Sequence, residues 1–139
     1  EIVNQFNTCN SPLVSDKIYS IEINENTGEV FIGSDKGLVS YKGEATKGKD
    51  DYSDVYAYPN PVRPEYRDKV TITGLMDNSI VKITDLNGNL VYQTKSLGGQ
   101  AIWNCRNTKG VRVASGVYLV LSATEDSKES IVTKIAVIK

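Results

Sequence analysis

The sequence contains no histidine, the side chain that most often serves as a general base and as a metal ligand. Its two cysteines, Cys9 and Cys105, are too few for a thiolate zinc cluster or a dense disulfide framework. No apolar run approaches the roughly 20 residues that a membrane-spanning helix needs. The 16 basic and 17 acidic residues leave a formal net charge of -1. We therefore expect neither a nucleic-acid partner nor a transmembrane segment.

The usual motifs of catalysis and metal binding are also missing. The serines have no histidine partner, and no Gly-x-Ser-x-Gly elbow occurs. Asp85, Asn87 and Asn89 have the spacing of the start of a calcium loop. Leu90, however, stands where such a loop requires glycine, and Ser96 stands where it requires glutamate. We expect a plain hairpin turn there, and no catalytic residue, metal site or cofactor in the chain.

Valine, isoleucine, threonine and tyrosine dominate what is present, and short runs of them alternate with glycine, asparagine, aspartate and serine. β-Branched and aromatic side chains favour the pleated surface of a sheet. No segment carries the apolar stripe of a helix over three turns. The pattern therefore predicts an all-β protein.

The first part of the chain has three predicted strands at 18–23, 29–33 and 38–41, joined by tight turns. They make a three-stranded meander, which is marginally stable alone and needs a neighbour. Residues 46–54 are polar and charged, which predicts a linker between a first domain at 1–45 and a second at 55–139. The alternative is a long surface loop within one domain.

The second part of the chain has seven predicted short strands, and Asn87-Gly88 is a strong hairpin signal between two of them. The segment 117–121 is apolar on both faces, which predicts a central strand. Seven strands in this length favour an immunoglobulin-like antiparallel β-sandwich. The predicted strands are 55–58, 70–73, 80–84, 90–93, 101–103, 117–121 and 131–138.

The first part resembles one repeat of a two-component-regulator-type β-propeller. The resemblance rests on residues 13–21 and 28–41, in which a Gly-led Phe-Ile-Gly strand precedes a Gly-Leu pair. Phe31 stands where the repeat usually has tryptophan, and Ser34 stands where it usually has threonine. Propeller blades bury their faces against neighbouring blades. The resemblance thus implies a terminal repeat of a partial propeller, whose exposed edges could pair with a second copy to form a dimer.

The second part, residues 56–139, resembles the C-terminal sorting domain of type IX secretion. The order of its motifs carries the resemblance: Tyr-Pro-Asn-Pro, the hairpin at 81–91, Trp103, Ser-Gly-Val-Tyr and the last strand. The related immunoglobulin-like domain of flagellar-hook capping proteins shares some of these motifs. Cys105 departs from the family, which usually has glycine near this position. The resemblance implies the following sorting or interaction candidates: Pro59, Asn60, Pro61, Gly116, Tyr118, Lys134 and Ile135.

A propeller repeat followed by this sandwich resembles the end of PorZ-like proteins. The sequence begins with Glu1 and shows no signal-peptide pattern, so we expect the C-terminal piece of a longer protein. The resemblance implies an exported, non-enzymatic protein of the cell surface, outer membrane or periplasm. Its implied partners are the secretion machinery or outer-membrane proteins. The last strand, 131–139, is then the recognised segment, because an edge strand offers unpaired backbone groups to a partner sheet.

Two other functions stay open from the sequence. One is a structural spacer at the end of a periplasmic sensor propeller. The other is a carbohydrate-binding module for a surface glycan or lipopolysaccharide, which would use Trp103 and exposed tyrosines, although packing in a core is the commoner role of such side chains. Cys9 and Cys105 could form a disulfide, but they lie in different predicted domains.

Overall fold

The computed structural model describes residues 5–43 and 45–139 of the chain. It divides into two compact units, Glu1–Gly43 and Glu44–Lys139. In the described residues all regular structure is β, as predicted, and no helix is long and apolar enough to cross a lipid bilayer. The strands are β1 (Ile18–Asn24), β2 (Glu29–Ser34), β3 (Gly37–Lys42), β4 (Tyr56–Tyr58), β5 (Val70–Thr73), β6 (Ile80–Thr84), β7 (Leu90–Lys95), β8 (Gln100–Trp103), β9 (Gly116–Ala123) and β10 (Ser130–Val137).

The first unit contains the predicted three-stranded meander, in the order β1-β2-β3 with antiparallel pairing. Its first turn closes where Asn24 pairs with Glu29, and Gly28 takes a positive φ of 74° that this turn requires. Apolar side chains on β1 stay exposed, among them Tyr19 at 66% and Ile21 at 59%. The meander thus has an uncovered apolar surface, and its identity as a propeller repeat stays a prediction.

The second unit contains the seven remaining strands in two sheets. One sheet has the order β10-β9-β6-β7, the other has the order β4-β5-β8, and all neighbouring strands are antiparallel. This arrangement confirms the predicted seven-stranded immunoglobulin-like sandwich, with 117–121 in a central strand as expected.

The core lies between these two sheets, because side chains alternate along each strand and one set faces inward. Trp103 of β8 is fully buried, and its ring packs against Tyr118 of β9 with centroids 5.5 Å apart and planes tilted by 60°. The Trp103 Nε1 group donates a hydrogen bond to the Arg106 carbonyl at 2.9 Å, so its polar atom is satisfied. The largest fully buried aliphatic side chains are Ile72, Leu75, Ile83, Ile135, Val62, Val70, Val81 and Val120.

Part of the backbone of residues 46–54, the predicted linker, pairs with the sandwich. The Thr46 amide donates to the Leu97 carbonyl at 3.3 Å, and the Lys49 amide donates to the Leu75 carbonyl at 2.8 Å. Such pairing depends on backbone groups, so a polar composition does not prevent it. The division of the chain into independent domains stays a prediction.

The hairpin between β6 and β7 is closed by Asp85, which confirms the predicted turn. Its Oδ1 atom accepts hydrogen bonds from the backbone amides of Asn87 and Asn89, both at 2.9 Å. Its Oδ2 atom accepts one from the Asn89 side chain at 2.8 Å. These bonds, that of the Asn89 side chain first, lower the pKa of the Asp85 carboxyl below its ordinary value.

Candidate functional site

The last strand, β10, lies at an edge of the four-stranded sheet and pairs on one side with β9. Ile135 lies opposite Tyr118, and both side chains are buried in the core. Lys134 lies opposite Leu119 on the outer face of the sheet. β10 is therefore held by its pairing with β9 and by its buried side chains. Its other edge, which faces away from β9, is where an edge strand offers backbone groups to a partner.

The segment after β4 covers part of that second side. The Asn60 Nδ2 group donates to the Lys134 carbonyl at 2.8 Å, and the Ala136 amide donates to Asn60 Oδ1 at 3.0 Å. The Val62 amide then donates to the Ala136 carbonyl at 2.7 Å, and the Ile138 amide donates to the Val62 carbonyl at 2.8 Å. We call this set of four hydrogen bonds the Asn60 clasp. The side-chain amide of Asn60 serves there as a substitute for one peptide group of a neighbouring strand.

The edge of β10 is consequently divided into two halves. Residues 134–138 are covered by the Asn60 clasp, and Val62 forms a parallel bridge with Val137. Residues 130–133 contain a shift in the pairing register with β9 between Ile131 and Thr133. Within the described part of the chain, no strand or bridge pairs with their other side. The clasp therefore occupies backbone groups in the second half of the predicted segment 131–139, and recognition of this strand by a partner stays a prediction.

The structure brings all seven predicted site residues to this end of the sandwich. Asn60 bonds to Lys134. Pro59 and Pro61 lie on either side of Asn60, and the peptide bond that precedes each proline, Tyr58-Pro59 and Asn60-Pro61, is cis. Tyr118 pairs with Ile135, and its hydroxyl donates to the Ala114 carbonyl at 2.8 Å.

Gly116 pairs with Val137 at the end of the same ladder. Gly116, Tyr118 and Ile135 therefore hold β10 in place, whereas Asn60 and Lys134 meet at its outer edge. Sequence reasoning missed Val62 and Ala136, which complete the clasp; the only local signal was their position beside the Asn-Pro motif and within the last strand.

Other candidate chemistry finds little support at this site. Among residues 5–43 and 45–139, no group of three or more Cys, Asp or Glu side chains is arranged to hold a metal ion. Trp103 is fully buried, so the interpretation of this side chain as a sugar platform is wrong. Cys9 is exposed, Cys105 is buried, and both are free thiols in the described structure; a disulfide between the two units stays a prediction. Burial raises the pKa of the Cys105 thiol and keeps it in its neutral form.

Comparison with known proteins assigns the second unit to a family. The profile of the secretion system C-terminal sorting domain matches residues 56–139. These residues span all seven strands of the sandwich and include the whole of the Asn60 clasp. No curated protein matched the sequence.

Among solved structures, the chain is similar to PorZ of Porphyromonas gingivalis, described as an essential bacterial surface component of the type IX secretion system. The identity is 42% and the TM-score 0.67, over 100% of this chain and 19% of that chain. The chain therefore spans about a fifth of the length of PorZ.

Two further similarities are too low to carry an argument. Dimeric latent PorU from Porphyromonas gingivalis is 21% identical, with a TM-score of 0.46 over 79% of this chain and 12% of that chain. The BSP domain of a biofilm-associated protein is 18% identical, with a TM-score of 0.44 over 80% of this chain and 18% of that chain. The family match, by contrast, extends over more than half of the sequence. The chain belongs to the family of secretion system C-terminal sorting domains, and a domain of this family implies an exported protein.

Proposed function

We propose that the sandwich is a non-enzymatic sorting and interaction domain of a surface-exposed protein of the type IX secretion apparatus. The observation that carries this proposal is the edge of β10, which is closed over 134–138 by the Asn60 clasp and open over 130–133. The family match and the similarity to PorZ support the same role. The partner is a component of the secretion machinery or an outer-membrane protein.

Strand addition at residues 130–133 is the recognition mode that we propose. An edge strand with free backbone groups accepts a strand from a partner, and the backbone bonds supply affinity. The clasp limits this pairing to the open half and fixes the position of β10 against β9. Ile131, which is 55% exposed, lies on the outer face beside the open half, where a partner strand would pass.

The test is localisation of the full-length parent protein by surface proteolysis. Three forms are compared: the intact protein, a form without residues 131–139, and Ile131→Lys, which places a charge beside the open edge. Ile80→Lys is the matched control, because Ile80 is 46% exposed on the same face but belongs to a strand that is paired on both sides. Fluorescence of Trp103 reports whether each variant retains its core.

We expect the intact protein and Ile80→Lys at the surface, and the truncated form and Ile131→Lys retained in the periplasm. Normal export of both the truncated form and Ile131→Lys would refute the proposal. Periplasmic location of the intact protein would favour the structural-spacer function instead. Retention of the truncated form alone would show that the last strand is needed but that its open edge is not the recognised feature.

A further inference from the structure

The outer face of the four-stranded sheet is unusually apolar for a surface that faces away from the core. Antiparallel sheets with one solvated face usually place polar side chains there. On β9, Tyr118 and Val120 point into the core, so Leu119 and Leu121 lie on the outer face. Leu86 and Leu90, which are 67% and 51% exposed, lie beside them. These four leucines line an open depression together with polar residues that include Lys82, Gln93 and Glu129. We call this depression the leucine groove; its volume is about 530 Å³.

Thr84 lies on the floor of the leucine groove, between Leu90 of β7 and Leu119 of β9 in the pairing register. The residue is only 7% exposed, and its Oγ1 atom is buried without a hydrogen-bond partner. A buried hydroxyl with no partner is destabilising, and most such groups in folded proteins are paired. This hydroxyl is enclosed by its neighbours, so a ligand in the groove would contact the residues around it instead.

The charges around the leucine groove indicate the character of such a ligand. Lys82 Nζ and Glu129 Oε2 are 2.7 Å apart at one end, so these two charges neutralise each other. At the other end, Lys134 lies opposite Leu119 on the same face and is exposed. Among the described residues, no carboxylate forms an ion pair with Lys134. The surface therefore offers a depression lined by leucines and polar side chains, with the unpaired charge of Lys134 beside it.

We propose that the leucine groove binds an aliphatic peptide segment of a protein partner, and that this segment carries an acidic residue beside its aliphatic anchors. The aliphatic side chains fill the space between the leucines, where removal of apolar surface from water drives binding. The carboxylate of the peptide pairs with Lys134. The inference rests on the proposed interaction function but uses the face of the sheet instead of the open edge of β10.

The experiment measures binding of fluorescently labelled short peptides to the full chain by anisotropy. The probe alternates leucine and glutamate, and two matched peptides replace glutamate with lysine or leucine with serine. The protein variants are Leu119→Ser in the groove and Lys134→Glu beside it. Lys95→Glu is the control, because Lys95 is an exposed cation on the same face that pairs across the sheet with Ile80, outside the groove.

We expect the leucine–glutamate peptide to bind more tightly than either matched peptide. Leu119→Ser should weaken its binding by on the order of tenfold, because one aliphatic wall is lost. Lys134→Glu should weaken it by about fivefold at low salt and by less at high salt. Lys95→Glu should leave it unchanged, and Trp103 fluorescence should show that every variant is folded.

Several results would overturn the inference. One is equal binding of the lysine-containing peptide, and another is binding that neither Leu119→Ser nor Lys134→Glu changes. Adsorption of the chain to neutral lipid vesicles that Leu119→Ser abolishes, in the absence of peptide binding, would assign the groove to lipid. Self-association that Leu119→Ser abolishes would assign it to a second copy. None of these results depends on export, so the proposed sorting function can stand when this inference fails.

Discussion

Replacing Asn60 with alanine tests whether the Asn60 clasp stabilises the sandwich. The substitution removes the hydrogen bond to the Lys134 carbonyl and the one from the Ala136 amide. It leaves the two backbone bonds of Val62 in place. The alanine variant therefore reports the side-chain part of the clasp separately from its backbone part.

The expected loss follows from the number and the exposure of these bonds. Each hydrogen bond contributes about 0.5–1.5 kcal/mol to the free energy of unfolding. Asn60 is exposed, so water can partly replace both bonds, and we expect a total loss of about 1–2 kcal/mol. In a domain of this size that loss lowers Tm by about 5–10 °C.

Two measurements check this prediction. Thermal unfolding followed by fluorescence of the single tryptophan, Trp103, reports stability of the core, and hydrogen exchange reports protection of the Ala136 amide. Asn87→Ala is the matched control, since the Asn87 side chain makes no hydrogen bond in the described structure. Asn60→Asp should lose stability yet keep an acceptor for the Ala136 amide. An Asn60→Ala variant with unchanged Tm and unchanged protection at Ala136 would refute the reasoning.

Two further predictions concern turns of the sandwich. In Gly98→Ala, the added Cβ would overlap the Thr46 carbonyl oxygen, so residues 46–49 must detach and become sensitive to limited proteolysis. Gly88→Ala is the control, because Gly88 also has a positive φ, which costs an alanine about 1 kcal/mol, but its added Cβ would contact no other atom. Equal destabilisation of the two variants would contradict the prediction. At the β6–β7 hairpin, the hydrogen bond from the Asn89 side chain lowers the pKa of the Asp85 carboxyl. The ionised carboxylate therefore stabilises the folded state at pH values above the ordinary aspartate pKa of about 3.9. This stabilisation is lost as the pH falls through the lower pKa that Asp85 has in the folded state. The difference in urea midpoint between wild type and Asp85→Asn should therefore shrink as the pH falls below the ordinary aspartate pKa, and a constant difference would contradict this.

The strands could be predicted because their signals are local. Alternation in 18–23 placed β1 to within a residue of its observed end, and Asn87-Gly88 located the hairpin between β6 and β7. The apolar stretch 117–121 was predicted to be central, which β9 confirms. In each case the residues that form the element also carry the pattern that predicts it.

The clasp, the packing of residues 46–54 and the leucine groove could not be predicted in the same way. Asn60 bonds to positions 74 and 76 residues further along the chain, and no local pattern encodes such a contact. Thr46 and Lys49 pair through backbone groups, on which polar side chains give no information. The outward leucines of β9 were correctly taken as a sign of a central strand, but the sequence does not show that they line a depression on the outer face of the sheet.

The clasp also has a consequence for how the domain acquires its structure. It joins the segment after β4, the first strand of the sandwich, to β10, the last strand. The edge of β10 can therefore close only after both segments have been synthesised. Contacts between residues this distant in sequence are slow to form, because a large loop must be ordered first. During synthesis, the sandwich therefore remains incomplete until β10 has left the ribosome. Until then the Asn60 side chain lacks its hydrogen-bond partners, Lys134 and Ala136.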